Sequence, residues 1–241
     1  MDSATASRLV ALNREFYDQF GASFSATRER SQPGVLRILR TLRGDEAILD
    51  LGCGNGELAR ELARRSHRGP YLGLDFSLPL LRAAESQPEG FSATFRVVDL
   101  TQLSVISDQL SVTEHWSLII AFAVLHHIPG EELRLNLLNT VSALLPDDGR
   151  FILSNWQFLN SPRLKARIQP WDRIGLKDSD VDAGDYLLDW RRDGRGLRYV
   201  HHFSVEELSG LAGQVGLRVS ESFESDGDGG KLGLYQVWRK L

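Results

Sequence analysis

The chain has 241 residues, 42% apolar and 25% charged, enough for one α/β domain with an insertion. Its net charge of −4 excludes a generically basic nucleic-acid binder, although a local basic face can still meet phosphates. Cys53 is the single cysteine, so no internal disulfide can form. No apolar run approaches the ~18 residues needed to span a bilayer. The opening Met1-Asp-Ser-Ala-Thr lacks the basic-plus-apolar pattern of a secretory leader, so a cytoplasmic chain is expected.

In chain order, Leu9, Leu12, Phe16 and Phe20 recur at helical steps and predict an amphipathic helix over 7–24. A loop follows, and Pro33 fits the start of a second helix through Val35 to Leu42. Strand one is expected at 47–52 with its helix at 56–66, and strand two at 71–76 with a helix at 78–86. Strand three is expected at 93–99. Strand four, 116–123, is apolar nearly throughout, as a strand covered on both faces should be. A helix at 130–145 and strand five at 149–157 come next. Ser204 and Glu207 have capping-box spacing at the head of a helix over 204–216. Strands at 218–224 and 232–239 flank the turn at Asp226-Gly-Asp-Gly-Gly230.

Regular β/α alternation predicts an α/β fold: a Rossmann-like, doubly wound, seven-stranded sheet with ligands at the strand carboxyl ends. The chain divides as an N-terminal helical lid (1–44), a cofactor-binding core (45–157), an insertion (158–203) and a closing helix and hairpin (204–241). The insertion carries nine bases and seven acids, a net +2, among Trp171, Tyr186, Trp190 and Tyr199. Overhanging the site after strand five, it reads as a substrate lid; the plainer reading is a solvated helical excursion with aromatic anchors.

The most informative letters are Ala47-Ile-Leu-Asp-Leu-Gly-Cys-Gly-Asn-Gly-Glu57, a buried strand running into a glycine loop that opens a helix. Glycines there let backbone turn sharply and approach a ligand. Gly73-Leu-Asp75-Phe76-Ser77 sets an acid at the next strand tip. This spacing is shared by dinucleotide and S-adenosylmethionine sites. Asp50 would repel a pyrophosphate but suits an amino group, which favours S-adenosylmethionine. Asp75 would take both ribose hydroxyls. Cys53 reads as a small loop residue in backbone contact.

Leu49-Asp-Leu-Gly-Cys-Gly-Asn-Gly56 resembles the first motif of class I S-adenosylmethionine-dependent methyltransferases. Gly73-Leu-Asp-Phe-Ser77, Val98-Asp-Leu100, Ala121-Phe-Ala-Val-Leu-His-His-Ile128 and Leu145-Pro-Asp-Asp-Gly-Arg-Phe-Ile152 resemble the next four, in order. The resemblance implies S-adenosylmethionine as cofactor, S-adenosylhomocysteine as product, and a reversed seventh strand. The cofactor residues it implies are Asp50, Gly52, Cys53, Gly54, Asn55, Gly56, Asp75, Phe76, Ser77, Asp99, Leu100, Phe122 and Ala123, closed over by Tyr17 and Arg28. His126 and His127 follow strand four beside the expected methyl, as a candidate base or as site lining. No further ligands stand at zinc-like spacing, so no metal is expected.

The ends of the chain carry a narrower resemblance. Asn13-x-x-Phe16-Tyr17, Phe24-Ser-x-Thr-Arg28, Tyr186-Leu-Leu-Asp-Trp190 and Arg198-Tyr-Val-His-His-Phe203 resemble Trm9-like tRNA wobble-uridine carboxymethyl methyltransferases. That implies esterification of a carboxymethyl group whose carboxylate Arg198 would pair with. Trp156, at the end of strand five, reads as an aromatic wall for the acceptor or as core, and Arg198, Tyr199 and His201 read as acceptor-binding residues clamping an anion or as side chains satisfying loop carbonyls. An aromatic lid suits an unpaired base. A small-molecule acceptor, a non-catalytic cofactor-binding regulator and a partner subunit supplying the RNA surface stand as alternatives.

Overall fold

The computed structural model describes residues 1–26, 30–107, 109–110, 115–192 and 194–241. Helix α1 (Ser3–Ser25) starts four residues before the expected span, and its Leu9, Phe16 and Phe20 are buried. Helix α2 (Pro33–Leu39) carries proline at its first turn, where the missing N–H costs nothing.

Five parallel strands follow: β1 (Ile48–Leu51), β2 (Tyr71–Asp75), β3 (Ala93–Val97), β4 (Leu118–Phe122) and β5 (Arg150–Trp156). Between them run α3 (Glu57–Arg64), α4 (Leu78–Ala84) and α5 (Glu131–Leu144). The seven-stranded sheet has the order β3-β2-β1-β4-β5-β10-β9, where β9 is Leu217–Ser225 and β10 (Gly233–Lys240) runs antiparallel to β5. The reversed last strand is thus present, and the order reverses between β1 and β4. Two apolar layers cover the sheet. One holds Leu49, Ile119, Phe151 and Trp238; the other holds Ile48, Ile120, Ile152 and Val237. Alternate strand residues pack on opposite faces, which is why β4 reads as a continuous apolar run and β1 is interrupted only by Asp50.

Residues 158–203 are not a helical excursion. Their main element is a second sheet, β6 (Ile168–Gln169), β7 (Asp185–Trp190) and β8 (Gly196–His201), antiparallel and in that order. Leu187 and Tyr199 pair across strands and pack with Leu9 of α1 and Trp171. Leu188 and Val200 turn the other way, onto Phe158 and Leu164. Alternation along two strands gives the small sheet two apolar faces, and α1 covers one of them. Helix α7 (Val205–Gln214) follows a four-residue α6 (Pro162–Lys165) in the helix numbering and precedes β9 (Leu217–Ser225). No described helix is long and apolar enough to cross a membrane.

Candidate cofactor and acceptor site

A cavity of about 490 Å³ opens at the carboxyl ends of β1, β2, β4 and β5, beneath α1 and beside the small sheet. The turn after β1 forms its floor. Gly52 and Gly54 have φ of +76° and +54°. A Cβ on Gly52 would lie 2.5 Å from Val124, whereas a Cβ on Gly54 would enter open space. Gly54 therefore keeps its backbone bare toward the cavity, and its N–H donates to Asp75 Oδ2 at 2.9 Å. Ser77 N–H donates to Asp75 Oδ1 at 2.9 Å. Burial raises the Asp75 carboxyl against these bonds, and its oxygens retain lone pairs toward the cavity.

Asp50 lies deeper. Burial pushes its carboxyl up to about 7; the Tyr71 hydroxyl, which donates to it, opposes the rise, and the Asp75 charge adds to it. Cys53 is buried beneath the loop, and a Cβ on Gly73 would lie 2.8 Å from its Sγ. Burial, with the charges of Asp50 and Asp75, drives the Cys53 thiol far above its usual range, so it is no thiolate nucleophile. Asn55 lines the cavity and donates to Ser25 of α1 at 2.8 Å.

Two of the candidate cofactor residues lie off the cavity wall. Gly56 turns toward α4, where a Cβ would meet Ala84 at 2.9 Å, so its job is the close helix approach. Ser77 is fully buried and meets Asp75 through its backbone N–H. Arg28 lies outside the described residues. Phe76, Asp99, Leu100, Phe122 and Ala123 all line the cavity. Ala123 holds φ at +58°, a strained value for a residue with a Cβ, and its N–H donates to Ser154. Asp99 accepts from the Thr101 N–H and hydroxyl, and its other oxygen pairs with Arg14 at 2.6 Å.

The histidine pair is held in place. His127 Nδ1 meets the Tyr199 carbonyl at 3.2 Å, and its Nε2 meets the Tyr17 hydroxyl at 3.0 Å. A carbonyl only accepts, so the proton sits on Nδ1 and Nε2 accepts from Tyr17. His126 is buried, and its Nδ1 accepts from the Trp156 N–H at 3.3 Å. The rings lie 4.3 Å apart. For His127 to take an acceptor proton, it would have to give up the Tyr17 bond.

Trp156 and Arg198 meet at the wall between the two sheets. The Arg198 guanidinium, on a 6% exposed side chain, stands 4.9 Å from the Trp156 ring and 5.3 Å from the Phe16 ring. Tyr199 and His201 are corrections: neither lines the cavity. Tyr199 is fully buried and donates to Asp185 Oδ1 at 2.6 Å. His201 bridges Asp185 Oδ1 at 2.6 Å and Glu207 Oε1 at 2.9 Å, with Arg134 also against Asp185. Burial opposes its charge, but the two carboxylates outweigh that and raise its pKa. Alternation explains this: Arg198 and Val200 face one way along β8, Tyr199 and His201 the other. Ser204 does cap α7, accepting from the Glu207 N–H at 3.0 Å, but the Glu207 carboxylate goes to His201 instead of closing the capping box.

Sequence reasoning missed Arg14, which reaches Asp99 and stands over Phe76 at 5.8 Å. Its position three residues before Tyr17 on one helix face was the available signal. It also passed over Asn155 and Arg163, both on the cavity wall. Among the described residues, no group of three or more His, Cys, Asp or Glu side chains is placed to hold a metal ion.

The family described as "Methyltransferase domain" matches residues 24–222. The chain belongs to this methyltransferase family. Its fold is that of S-adenosylmethionine-dependent methyltransferases: magnesium protoporphyrin IX methyltransferase from Synechocystis, solved with bound S-adenosylhomocysteine, superposes with TM-score 0.65 at 17% identity, over 96% of this chain and 99% of that one. Mouse tRNA (carboxymethyluridine(34)-5-O)-methyltransferase ALKBH8 is 25% identical over 174 residues, 69% of this chain and 23% of the mouse protein. The Saccharomyces cerevisiae tRNA (carboxymethyluridine(34)-5-O)-methyltransferase is 24% identical over 143 residues, 58% of this chain and 46% of the yeast protein. The matched region thus spans about a quarter of the mouse relative and under half of the yeast one.

The residues present fit S-adenosylmethionine. Gly54 leaves open space where a side chain would intrude, and two buried carboxylates suit an ammonium and a ribose.

Proposed function

We propose that this chain methylates a carboxylate, and that the acceptor is a carboxymethyl group on a tRNA uridine. When bound, S-adenosylmethionine would supply an electrophilic methyl to an acceptor oxygen, with S-adenosylhomocysteine as the leaving group. A carboxylate carries its own lone pair at neutral pH, so no general base is needed. The pinned state of His126 and His127 suits that economy, and their role here is to shape the wall. Asp75 holds the ribose and Asp50 the ammonium. Tyr17 and Arg14 bring α1 down over the cavity, which excludes water and fixes alignment.

The observation that carries the acceptor reading is Arg198. A guanidinium set between two aromatic rings on the cavity wall is a preorganised partner for an anion. Trp156 offers the stacking face that a splayed base uses. The names of the mouse and yeast relatives point to the same chemistry. The net charge of −4 favours a second reading, a small carboxylate metabolite, because phosphate contacts dominate nucleic-acid affinity. A partner subunit supplying basic surface would reconcile that charge with tRNA.

Radiolabelled methyl transfer into bulk tRNA and into a small-molecule extract separates the readings. Label in tRNA that mild base releases is the expected result. Label only in the small-molecule pool would replace the acceptor, and label in neither pool with cofactor still bound would make the chain a cofactor-binding regulator.

A further inference from the structure

Asn155 sits at the carboxyl end of β5, 1% exposed, on the cavity wall between Ser154 and Trp156. Neither its amide nitrogen nor its amide oxygen has a hydrogen-bond partner. Its surroundings do not supply one. Leu153 precedes it on the same face of the strand, and Leu234 lies opposite in the register; both are buried. The neighbouring polar groups are already committed. The Trp156 N–H goes to His126, and the Gln157 side chain goes to the Phe203 carbonyl at 3.0 Å. A buried amide left unpaired is costly, and a leucine of similar size would remove that cost. A polar group kept in such a place, at the strand end where open α/β sheets bind their ligands, needs a use.

We infer that Asn155 reads the imide edge of the acceptor base. An amide presents one acceptor and two donors side by side. A uracil ring presents the complement, an N3–H donor flanked by carbonyl acceptors. Trp156 next along the strand offers the ring face, and Arg198 stands 4.9 Å from that ring to take the carboxylate. Asn155 faces the layer of Leu153 and Leu234 and Trp156 the opposite one, so a base lying across the end of β5 would meet the amide from one side and the indole with Arg198 from the other. A methyl group on N3 removes that donor and leaves the Asn155 carbonyl oxygen unmatched, so this residue would require an unsubstituted imide edge. The inference rests on the tRNA reading and deepens it.

The test uses the full chain and a synthetic anticodon stem-loop carrying 5-carboxymethyluridine at the wobble position, alongside the same RNA methylated at N3 of that base. The parent should prefer the first RNA by roughly tenfold or more in kcat/KM, the worth of a lost buried hydrogen bond. Asn155→Leu should raise KM for the first RNA by about as much and should barely distinguish the two. Its cofactor affinity by calorimetry should match the parent's, and its melting temperature should be equal or higher, since an unpaired buried amide is gone. If Asn155→Leu does not fold, Asn155→Ala takes its place in the same comparison. A variant that keeps both the parental KM and the parental discrimination overturns the inference alone. A parent that methylates neither RNA overturns the tRNA reading and the inference with it.

Discussion

The two halves of the cavity are built differently. The proposed cofactor half comes from short segments at three successive strand ends: Asp50 to Asn55, then Asp75 and Phe76, then Asp99. Backbone N–H groups fix the carboxylates of Asp75 and Asp99, and the Tyr71 hydroxyl fixes that of Asp50. The proposed acceptor half is assembled from distant pieces: Trp156 on β5, Arg163 on the following helix and Arg198 on β8, with Tyr17 of α1 lying over the cofactor half beside them. Side chains hold these to one another, as in the Tyr17–His127–Tyr199 chain and the Asn13 amide, which bonds both the Tyr199 N–H and its carbonyl. The first construction is insensitive to what surrounds it. The second can change its acceptor by changing a few side chains while the fold stays put, which is how one fold serves many substrates.

The largest effect should come from the cofactor half. Asp75→Ala removes a buried carboxylate that bridges the glycine loop and the proposed ribose contact. Losing charge-assisted bonds of this kind costs roughly 1.5–3 kcal/mol, so cofactor Kd by calorimetry should rise at least about tenfold and up to a hundredfold, with the chain still folded. An unchanged Kd would remove Asp75 from the cofactor site.

Arg198→Ala should act on the other half only. KM for the acceptor should rise about tenfold or more while cofactor affinity holds, because the lost group is a preorganised anion partner. A parallel loss of both would mean that Arg198 supports the fold between Phe16 and Trp156 and reads no acceptor.

This contrast also explains what could be read in advance. The strand, glycine turn, helix and acid of the cofactor half are local, and each carries its own letters. The parallel, doubly wound core followed from β/α alternation, and the reversed β10 was implied by the family resemblance. The small sheet did not. β6 has two residues, and β7 and β8 pair across a polar hairpin whose charges looked solvated. Tyr199 and His201 share the stretch that carries Arg198, but one residue of pleat puts them in the Asp185 network instead of the cavity. That network draws on Arg134 and Glu207 as well, and no spacing rule joins those positions. The strained Ala123 had no signal either, since alanine does not advertise a left-handed backbone.

Asp50 sharpens the comparison through pH. Its folded carboxyl titrates at about 7, above the ordinary 3.8. The folded chain without cofactor therefore binds this proton more tightly than the unfolded chain, and its stability falls as pH rises between those values. Cofactor binding runs the opposite way. If the ionised carboxylate holds the ammonium, affinity should drop by up to about tenfold per pH unit below 7, with a proton released on binding. Calorimetry at pH 6, 7 and 8 in two buffers of different ionisation heat would read both quantities. A flat affinity over that range would leave Asp50 as a core residue tied to Tyr71, with no cofactor contact.

The smallest effect belongs to the network behind the acceptor half. His201 has a raised pKa because Asp185 and Glu207 hold its charged form against burial. A group raised above its unfolded value stabilises fully below that value, near 6.5, and loses the contribution as pH climbs through the folded value. His201→Gln should therefore lower Tm most at pH 6 and less at pH 9. Each 1 kcal/mol of pH-dependent loss would appear as roughly 2–4 °C for a chain of this size. Cofactor affinity should not move, because His201 touches no part of the cavity, whereas acceptor KM should rise slightly as β8 loses its anchor to α7. A Tm deficit that is the same at both pH values would mean that the imidazole acts there as a neutral hydrogen-bonding ring, and the charge in the clamp on the small sheet would then come from Arg134 and Asp185.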